Sequence, residues 1–106
     1  MMIFVTLDPD RFGHLTVRPP SRSLRQAITK YLRAQAPGVH PWLYLQNQDD
    51  VEYFLENYPP RSKRRDVRNG YRVTIKMPAW DYLSMLGYDA AEHILYNKSR
   101  RIWYVE

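Results

Sequence analysis

The side chains best suited to chemistry in this sequence are cations, and they concentrate between Tyr58 and Met77. This basic segment carries seven Lys or Arg residues against a single acid, Asp66, and no other part of the chain is so uneven in charge. The seven cations are Arg61, Lys63, Arg64, Arg65, Arg68, Arg72 and Lys76. Because guanidinium and ammonium groups pair with phosphate oxygens, such a cluster is typical of a surface that contacts a nucleic-acid backbone.

Aromatic residues accompany these cations. Tyr, Trp and Phe make up 14% of the chain, and Trp80 follows Lys76 closely. Further along the chain, Arg100 and Arg101 precede Trp103. Proteins that hold single-stranded nucleic acid combine a positive groove for the phosphates with aromatic faces on which the bases stack. The coincidence of the two residue types therefore predicts single-stranded DNA or RNA as the partner.

The second half of the basic segment predicts a strand. Apolar and polar residues alternate in the order Tyr71, Arg72, Val73, Thr74, Ile75, Lys76 and Met77. Alternation with a period of two places Arg72, Thr74 and Lys76 on one face, about 6–7 Å apart, a pitch that suits successive nucleotides of an extended strand. The predicted nucleic-acid contacts are the seven cations together with Thr74, Trp80, Arg100, Arg101 and Trp103.

Two other functions stay open at this point. The basic segment could dock on an acidic protein surface, which would make the protein an interaction module. A small ribonuclease is the third hypothesis, with His40 or His93 as general base and Arg64 or Arg65 steadying the phosphate. The third histidine is His14, and none of the three stands in a metal-binding spacing. We expect no cofactor, no metal and no enzymatic activity.

Composition limits the remaining classes. The formal charge of +5 and the pI near 9.6 favour an anionic partner. The absence of Cys removes disulfides and thiolate ligands, and fits a cytoplasmic location. The first residues have neither the basic start nor the apolar length of a signal peptide, and no window reaches the roughly 18 apolar residues of a membrane helix. We expect a cytoplasmic protein without a membrane partner.

Turn residues divide the chain into the elements that must position these side chains. Strands are predicted at 1–7, 14–18, 41–45, 71–77 and 101–105, and an exposed loop at 61–70, which ends in the turn signal Asn69-Gly70. A helix is predicted from a capping box at Ser23 and Gln26 to Pro37. Further helices are predicted at 49–58 and 78–86, with a short one capped by Asp89 and continuing through Leu95.

The predicted fold is a single α+β domain, 1–106, with a mostly antiparallel sheet of about five strands and three to four helices. The first helix carries four cations outside its apolar stripe: Arg22, Arg25, Lys30 and Arg33. These belong either to an ordinary solvated face or to a basic binding surface. The second predicted helix is acidic, with Asp49 and Asp50 in its first turn, where unpaired N–H groups favour negative charge.

In its general look the chain resembles a loose class of proteins: the small, cysteine-free accessory proteins of phages and mobile elements, including anti-CRISPR proteins. The resemblance rests on size and on the lack of enzyme motifs, since that class shares no common fold. It implies a stoichiometric inhibitor, which binds a host nucleoprotein or masks its nucleic acid. It implies no site residues.

Overall fold

The computed structural model describes residues 1–9, 15–19, 21–38, 41–66 and 70–106, with the backbone alone at 9, 60–66 and 70–72. Its strands are β1 (Met2–Pro9), β2 (Leu15–Arg18), β3 (Leu43–Leu45), β4 (Pro60–Asp66), β5 (Gly70–Pro78), β6 (Ile94–Asn97) and β7 (Ile102–Val105). Its helices are α1 (Arg22–Gln35), α2 (Gln48–Asn57), α3 (Ala79–Leu86) and α4 (Ala90–His93). No helix in these ranges has the length and apolar character needed to cross a membrane.

The strands form two antiparallel sheets. The larger sheet has five strands in the order β3-β2-β1-β5-β4, and β6 pairs with β7 in a separate hairpin. In the centre of the large sheet, β1 runs beside β5 with Ile3 opposite Met77 and Val5 opposite Ile75. This arrangement confirms the α+β class and the mostly antiparallel sheet of five strands.

The core lies on one face of the large sheet. Alternate residues of the central strands, such as Val5 and Ile75, are fully buried there. They form one cluster with the apolar stripe of α1, which the helical spacing predicted correctly and which comprises Leu24, Ala27, Ile28, Tyr31 and Leu32. Burial of this stripe, more than intrinsic helix propensity, stabilises a helix of this length.

The start of α1 differs from the predicted capping box. The N-cap is Ser21, whose hydroxyl accepts a hydrogen bond from the backbone N–H of Leu24 at 3.3 Å. Ser23 lies inside the helix, and its hydroxyl accepts instead from the backbone N–H of Trp103 at 3.1 Å. The prediction of Ser23 as the cap was wrong because this hydroxyl connects α1 to β7, a contact between distant parts of the chain.

The predicted loop at 61–70 is also wrong over most of its length. Residues 60–66 form β4, which pairs with β5 so that Ser62 lies opposite Thr74 and Arg64 opposite Arg72. The register shifts between Pro60 and Ser62, and such irregularities are common at sheet edges. The turn signal at Asn69 lies outside the described residues.

The short helix α4 ends earlier than predicted. Ile94 and Leu95 were expected to continue it, but both belong to β6 and pair with β7. Asp89 has a left-handed backbone with φ 54° and makes no side-chain hydrogen bond to the helix, so it does not act as the predicted side-chain cap. At α3, Pro78 occupies the N-cap and not the first helical position.

The turn between β6 and β7 provides a stability test. Arg101 has a φ of 57°, in the left-handed region that disfavours residues other than Gly, Asn and Asp. We expect Arg101→Gly to raise the free energy of unfolding by about 0.5–1 kcal/mol, measured by urea denaturation. Arg100→Gly, one residue earlier in the same exposed turn, is the matched control and should give no stabilisation. Equal effects of the two substitutions would contradict the backbone explanation.

Candidate nucleic-acid interface

The five-stranded sheet has a second face, opposite the core, that is open to solvent over part of its area. Phe4 is 46% exposed there, and Lys76, its partner in register across β1 and β5, is exposed as well. Cross-strand register and strand alternation define the open sheet face as Met2, Phe4, Thr6, Asp8, Thr16, Arg18, Tyr44, Thr74 and Lys76. The predicted positions Thr74 and Lys76 therefore do share a face, opposite the buried Ile75 and Met77.

A cation and an aromatic ring meet on this face. The ammonium nitrogen Nζ of Lys76 lies 5.9 Å from the centroid of the Phe4 ring. At an exposed site such a contact contributes about 0.5–1 kcal/mol, which is weak enough for a ligand to displace it. The pair thus holds a cation and a half-exposed aromatic ring side by side.

The other described cation of the open sheet face is already paired. The Nε of Arg18 donates to the carboxylate oxygen Oδ2 of Asp8 at 3.0 Å, and Nη2 of the same guanidinium contacts that oxygen. Thr16 donates its hydroxyl hydrogen to the backbone carbonyl of Asp8 at 2.9 Å. Because the Asp8 carboxylate neutralises Arg18, Lys76 is the stronger candidate for binding a phosphate.

The basic segment lies at one edge of this sheet. Within it, β4 carries four cations in seven residues and is the last strand in the order of the five. Pairing with β5 places the backbone of Ser62 beside Thr74, a residue of the open sheet face. Of the predicted contacts, the ladder brings Arg61, Lys63, Arg64, Arg65 and Arg72 into the same sheet as Thr74 and Lys76, and Arg68 lies outside the described residues.

The remaining exposed residues among the predicted contacts lie in two separate places, the start of α3 and the turn of the second sheet. Trp80 is 59% exposed at the start of α3, next to Ala79, whose N–H donates to the Met1 carbonyl at 2.8 Å. Trp80 therefore follows closely after β5 in sequence and lies near the start of β1 in space. Arg100 and Arg101 are exposed in the turn of the second sheet.

The prediction of Trp103 as a stacking surface is wrong. Its side chain is only 9% exposed and belongs to the core cluster. The indole packs against the Tyr96 ring with 5.1 Å between ring centroids and 52° between the ring planes. A ring enclosed in this way has no face left on which a base could stack.

Phe4 is the candidate site residue that the sequence did not reveal. It belongs to the apolar segment that predicted a buried strand at 1–7. In the structure Ile3 and Val5 point into the core, while Met2 and Phe4 are exposed on the other face. Apolar residues on both faces remove the alternation that would have shown which side is open.

Around His93, the one proposed general base among the described residues, the ribonuclease hypothesis gains no arrangement of catalytic groups. His93 stacks on Tyr31, with 5.1 Å between ring centroids, and its Nδ1 lies 3.4 Å from the Glu106 backbone oxygen. The cavity beside it, of about 680 Å³, has Lys30, Asp89 and Glu106 among its lining residues and no described arginine. His14 and His40 lie outside the described residues. Within the described ranges, no group of three or more His, Cys, Asp or Glu side chains could hold a metal ion.

The site thus consists of an open sheet face with a paired ring and ammonium, hydroxyl groups beside them, and a basic edge strand. Comparison with protein-family models, curated protein sequences and solved structures finds no match. Geometry and charge are therefore the grounds on which a function can be proposed.

Proposed function

We propose that the protein is a non-enzymatic binder of single-stranded nucleic acid, which it holds against the open sheet face and the basic edge strand β4. The observation that carries this proposal is the position of the Lys76 ammonium over the half-exposed ring of Phe4. Binding sites for single strands require this combination of a stacking ring and a nearby cation.

In the proposed complex, a base stacks on Phe4 and takes the position that the Lys76 ammonium occupies in the free protein. Lys76 then turns to the adjoining phosphate, which its flexible four-carbon stem allows. The hydroxyls of Thr6 and Thr74, paired in register on the same face, supply hydrogen-bond donors and acceptors to the next nucleotide. The cations of β4 extend the phosphate-binding surface along the sheet edge.

A single strand fits this site better than a duplex. Stacking on an exposed ring requires a base whose face is accessible, and duplex bases offer only their edges in the grooves. A sheet face of this kind also presents a broad surface on which an extended strand can lie. Occlusion of the strand is one of the two modes of inhibition that the resemblance to phage accessory proteins implies, the other being binding to a host nucleoprotein, and it forms part of the proposal.

Phe4→Ala tests the stacking step. Each stacked base contributes about 1–3 kcal/mol, so the variant should bind a labelled single-stranded oligonucleotide roughly 5- to 150-fold more weakly. Fluorescence anisotropy measures this affinity. Tyr53→Ala is the matched control, because Tyr53 is an aromatic residue 65% exposed on the acidic helix α2. Wild-type affinity in Phe4→Ala would remove Phe4 from the site.

Lys76→Gln tests the phosphate contact. The slope of log K against log salt concentration is negative, and loss of one phosphate contact should reduce its magnitude by about 0.7 for a single strand. Lys98→Gln, which removes the same charge from the exposed turn of the second sheet, should leave the slope unchanged. If the wild-type protein at micromolar concentration and low salt shifts neither single- nor double-stranded oligonucleotides, the proposed function is wrong.

A second candidate function rests on the position of β4. Among the described strands it is an edge strand, so one side of its backbone faces away from β5. An acidic, extended segment of a partner protein could add to this edge, with main-chain hydrogen bonds for affinity and the cations for selectivity. Capture of a partner protein that survives nuclease treatment, without oligonucleotide binding, would favour this function over the first.

A further inference from the structure

A second basic surface lies on α1, apart from the open sheet face. A groove of about 560 Å³ runs between one flank of this helix and Trp42, the residue that precedes β3. The lining residues are Arg22, Arg25, Gln26, Thr29, Lys30, Arg33 and Trp42. Four of these seven described side chains are cations and none is an acid, so the groove carries a charge that its own lining does not compensate.

The cations follow the length of the helix. Arg22, Arg25, Thr29 and Arg33 recur every three to four residues, which places them along one face. With a rise of 1.5 Å per residue, Arg22 and Arg33 are about 16 Å apart along the helix axis. A groove of that length suits the backbone of several nucleotides better than one phosphate ion.

The charge at the start of α1 opposes helix stability. Arg22 is the first helical residue, the first turn contains no acidic residue, and Arg25 follows within one turn. The positive end of the helix dipole repels cations at this position. Arginines placed where they weaken the helix are better explained by a ligand than by folding.

Arg25 provides a second argument that the groove binds a ligand. Its Nε is buried and has no hydrogen-bond partner in the part of the chain that the structure describes. A buried donor without an acceptor is unfavourable. Reorientation of the guanidinium onto a phosphate oxygen in the groove would provide that acceptor.

The groove and the open sheet face meet at the edge strand β3. Trp42 lines the groove, whereas Tyr44, two residues later, lies opposite Thr16 on the open sheet face. A strand of nucleic acid that leaves the sheet face across β3 therefore reaches the groove directly.

We propose that this groove, the α1–Trp42 groove, binds the phosphate backbone of the same single strand that lies on the open sheet face. The inference rests on the proposed function, since both concern one ligand, but it assigns a different set of residues. It predicts a site longer than the sheet face alone, in which the affinity for oligonucleotides rises with length beyond the few nucleotides that the sheet can hold.

Arg22→Gln and Arg33→Gln, tested separately against single-stranded oligonucleotides of about 4 and about 12 nucleotides, examine this inference. Each variant should bind the longer oligonucleotide about three- to tenfold more weakly and the shorter one like the wild type. For the longer oligonucleotide, the magnitude of the slope of log K against log salt concentration should fall by about 0.7. Lys98→Gln is the charge-matched control and should change neither affinity. Thermal unfolding of Arg22→Gln should be unchanged or shifted upward, because the substitution removes an unfavourable charge from the helix start.

The outcomes separate this inference from the proposed function. Wild-type affinity of both groove variants for the longer oligonucleotide, together with a loss in Phe4→Ala, overturns the groove and leaves the sheet face. Loss in the groove variants, together with wild-type affinity in Phe4→Ala and a wild-type salt slope in Lys76→Gln, overturns the sheet face and with it the proposal that one strand spans both surfaces, and leaves binding in the groove alone. Binding of poly-glutamate that depends on Arg22 and Arg33, without binding of oligonucleotides, assigns the groove to an acidic protein and overturns the inference.

Discussion

Replacing Tyr82 with alanine is expected to lower the free energy of unfolding by about 4–5 kcal/mol, a large part of the 5–15 kcal/mol typical of a small domain. The Tyr82 side chain is fully buried in α3, and its hydroxyl donates to the backbone carbonyl of Val17 in β2 at 2.6 Å. The substitution would leave a cavity the size of a ring between helix and sheet, and a buried carbonyl without its donor.

Two further variants separate these contributions. Tyr82→Phe keeps the ring and should lose only about 1–2 kcal/mol, because it removes the hydroxyl alone. Trp80→Ala is the matched control, since Trp80 occupies the same helix but is 59% exposed, and its removal should change stability by less than about 1 kcal/mol. Urea denaturation followed by circular dichroism measures all three variants. A comparable loss in Trp80→Ala and Tyr82→Ala would contradict the assignment of Tyr82 to the core.

The elements that the sequence predicts well are those whose pattern records burial. The helical stripe of α1 and the alternation of β5 both match buried residues, such as Ile28 and Ile75, which are inaccessible to solvent. In each case the side chains that face the core must be apolar, so the spacing of apolar residues in the sequence matches the period of the helix or strand. The acids in the first turn of α2 follow a second local rule, the preference of helix starts for negative charge.

Strand β4 could not be predicted in this way, because it has no apolar period. Five of its seven residues are charged, and the strand is defined by its backbone pairing with β5. Natural proteins place charged residues at sheet edges, where they discourage pairing with other chains. The same Lys and Arg residues that predict a solvated loop are therefore compatible with an edge strand.

Strand β6 was missed for a different reason. Ala90, Ala91, Ile94 and Leu95 have helical spacing, which predicts one continuous helix. The chain leaves the helix at Ile94 because this residue and Tyr96 pair with Val105 and Trp103 of β7. Pairing partners seven or more residues away cannot be read from local periodicity, and here tertiary contacts override it.

The candidate site was predicted in part. The alternation of β5 correctly placed Thr74 and Lys76 on the face opposite the core. The ring beside Lys76 was not predicted, since Phe4 lies more than seventy residues away and the two meet only through the pairing of β1 with β5. For the α1–Trp42 groove, the sequence showed the cations of the helix, but their position across the groove from Trp42 depends on the fold.

Raising the pH above about 10 is expected to destabilise the fold through three tyrosines. Burial, a hydrogen bond that the Tyr58 hydroxyl donates to Oδ2 of Asp81 at 2.9 Å, and the charge of Asp81 raise the pKa of Tyr58 to about 12. Burial raises the pKa of Tyr82, opposed by a hydrogen bond with the Leu43 backbone. Burial and the nearby acids Asp89 and Glu92 raise the pKa of Tyr31.

The direction of this pH effect on stability follows from the protonated form of the tyrosines, which the fold favours. Each folded tyrosine keeps its proton at a pH where the unfolded chain, with an ordinary pKa of about 10, has lost it. The folded state then binds more protons than the unfolded state, so the free energy of unfolding falls as the pH rises from about 10 through about 12. Below about pH 10 both states are protonated, and these tyrosines contribute their full stabilisation without any slope.

Tyr58→Phe isolates one contribution to this alkaline loss. Because water reaches part of the Tyr58 side chain, we expect this residue to account for on the order of 1 kcal/mol of the decrease. The variant should be less stable than the wild type at neutral pH, where it lacks the bond to Asp81, yet lose less stability as the pH rises. Urea denaturation from about pH 8 to about pH 12 measures both slopes, with Tyr104→Phe, at an exposed tyrosine of β7, as control. Identical alkaline slopes in Tyr58→Phe and the wild type would show that the hydroxyl of Tyr58 does not couple proton binding to folding.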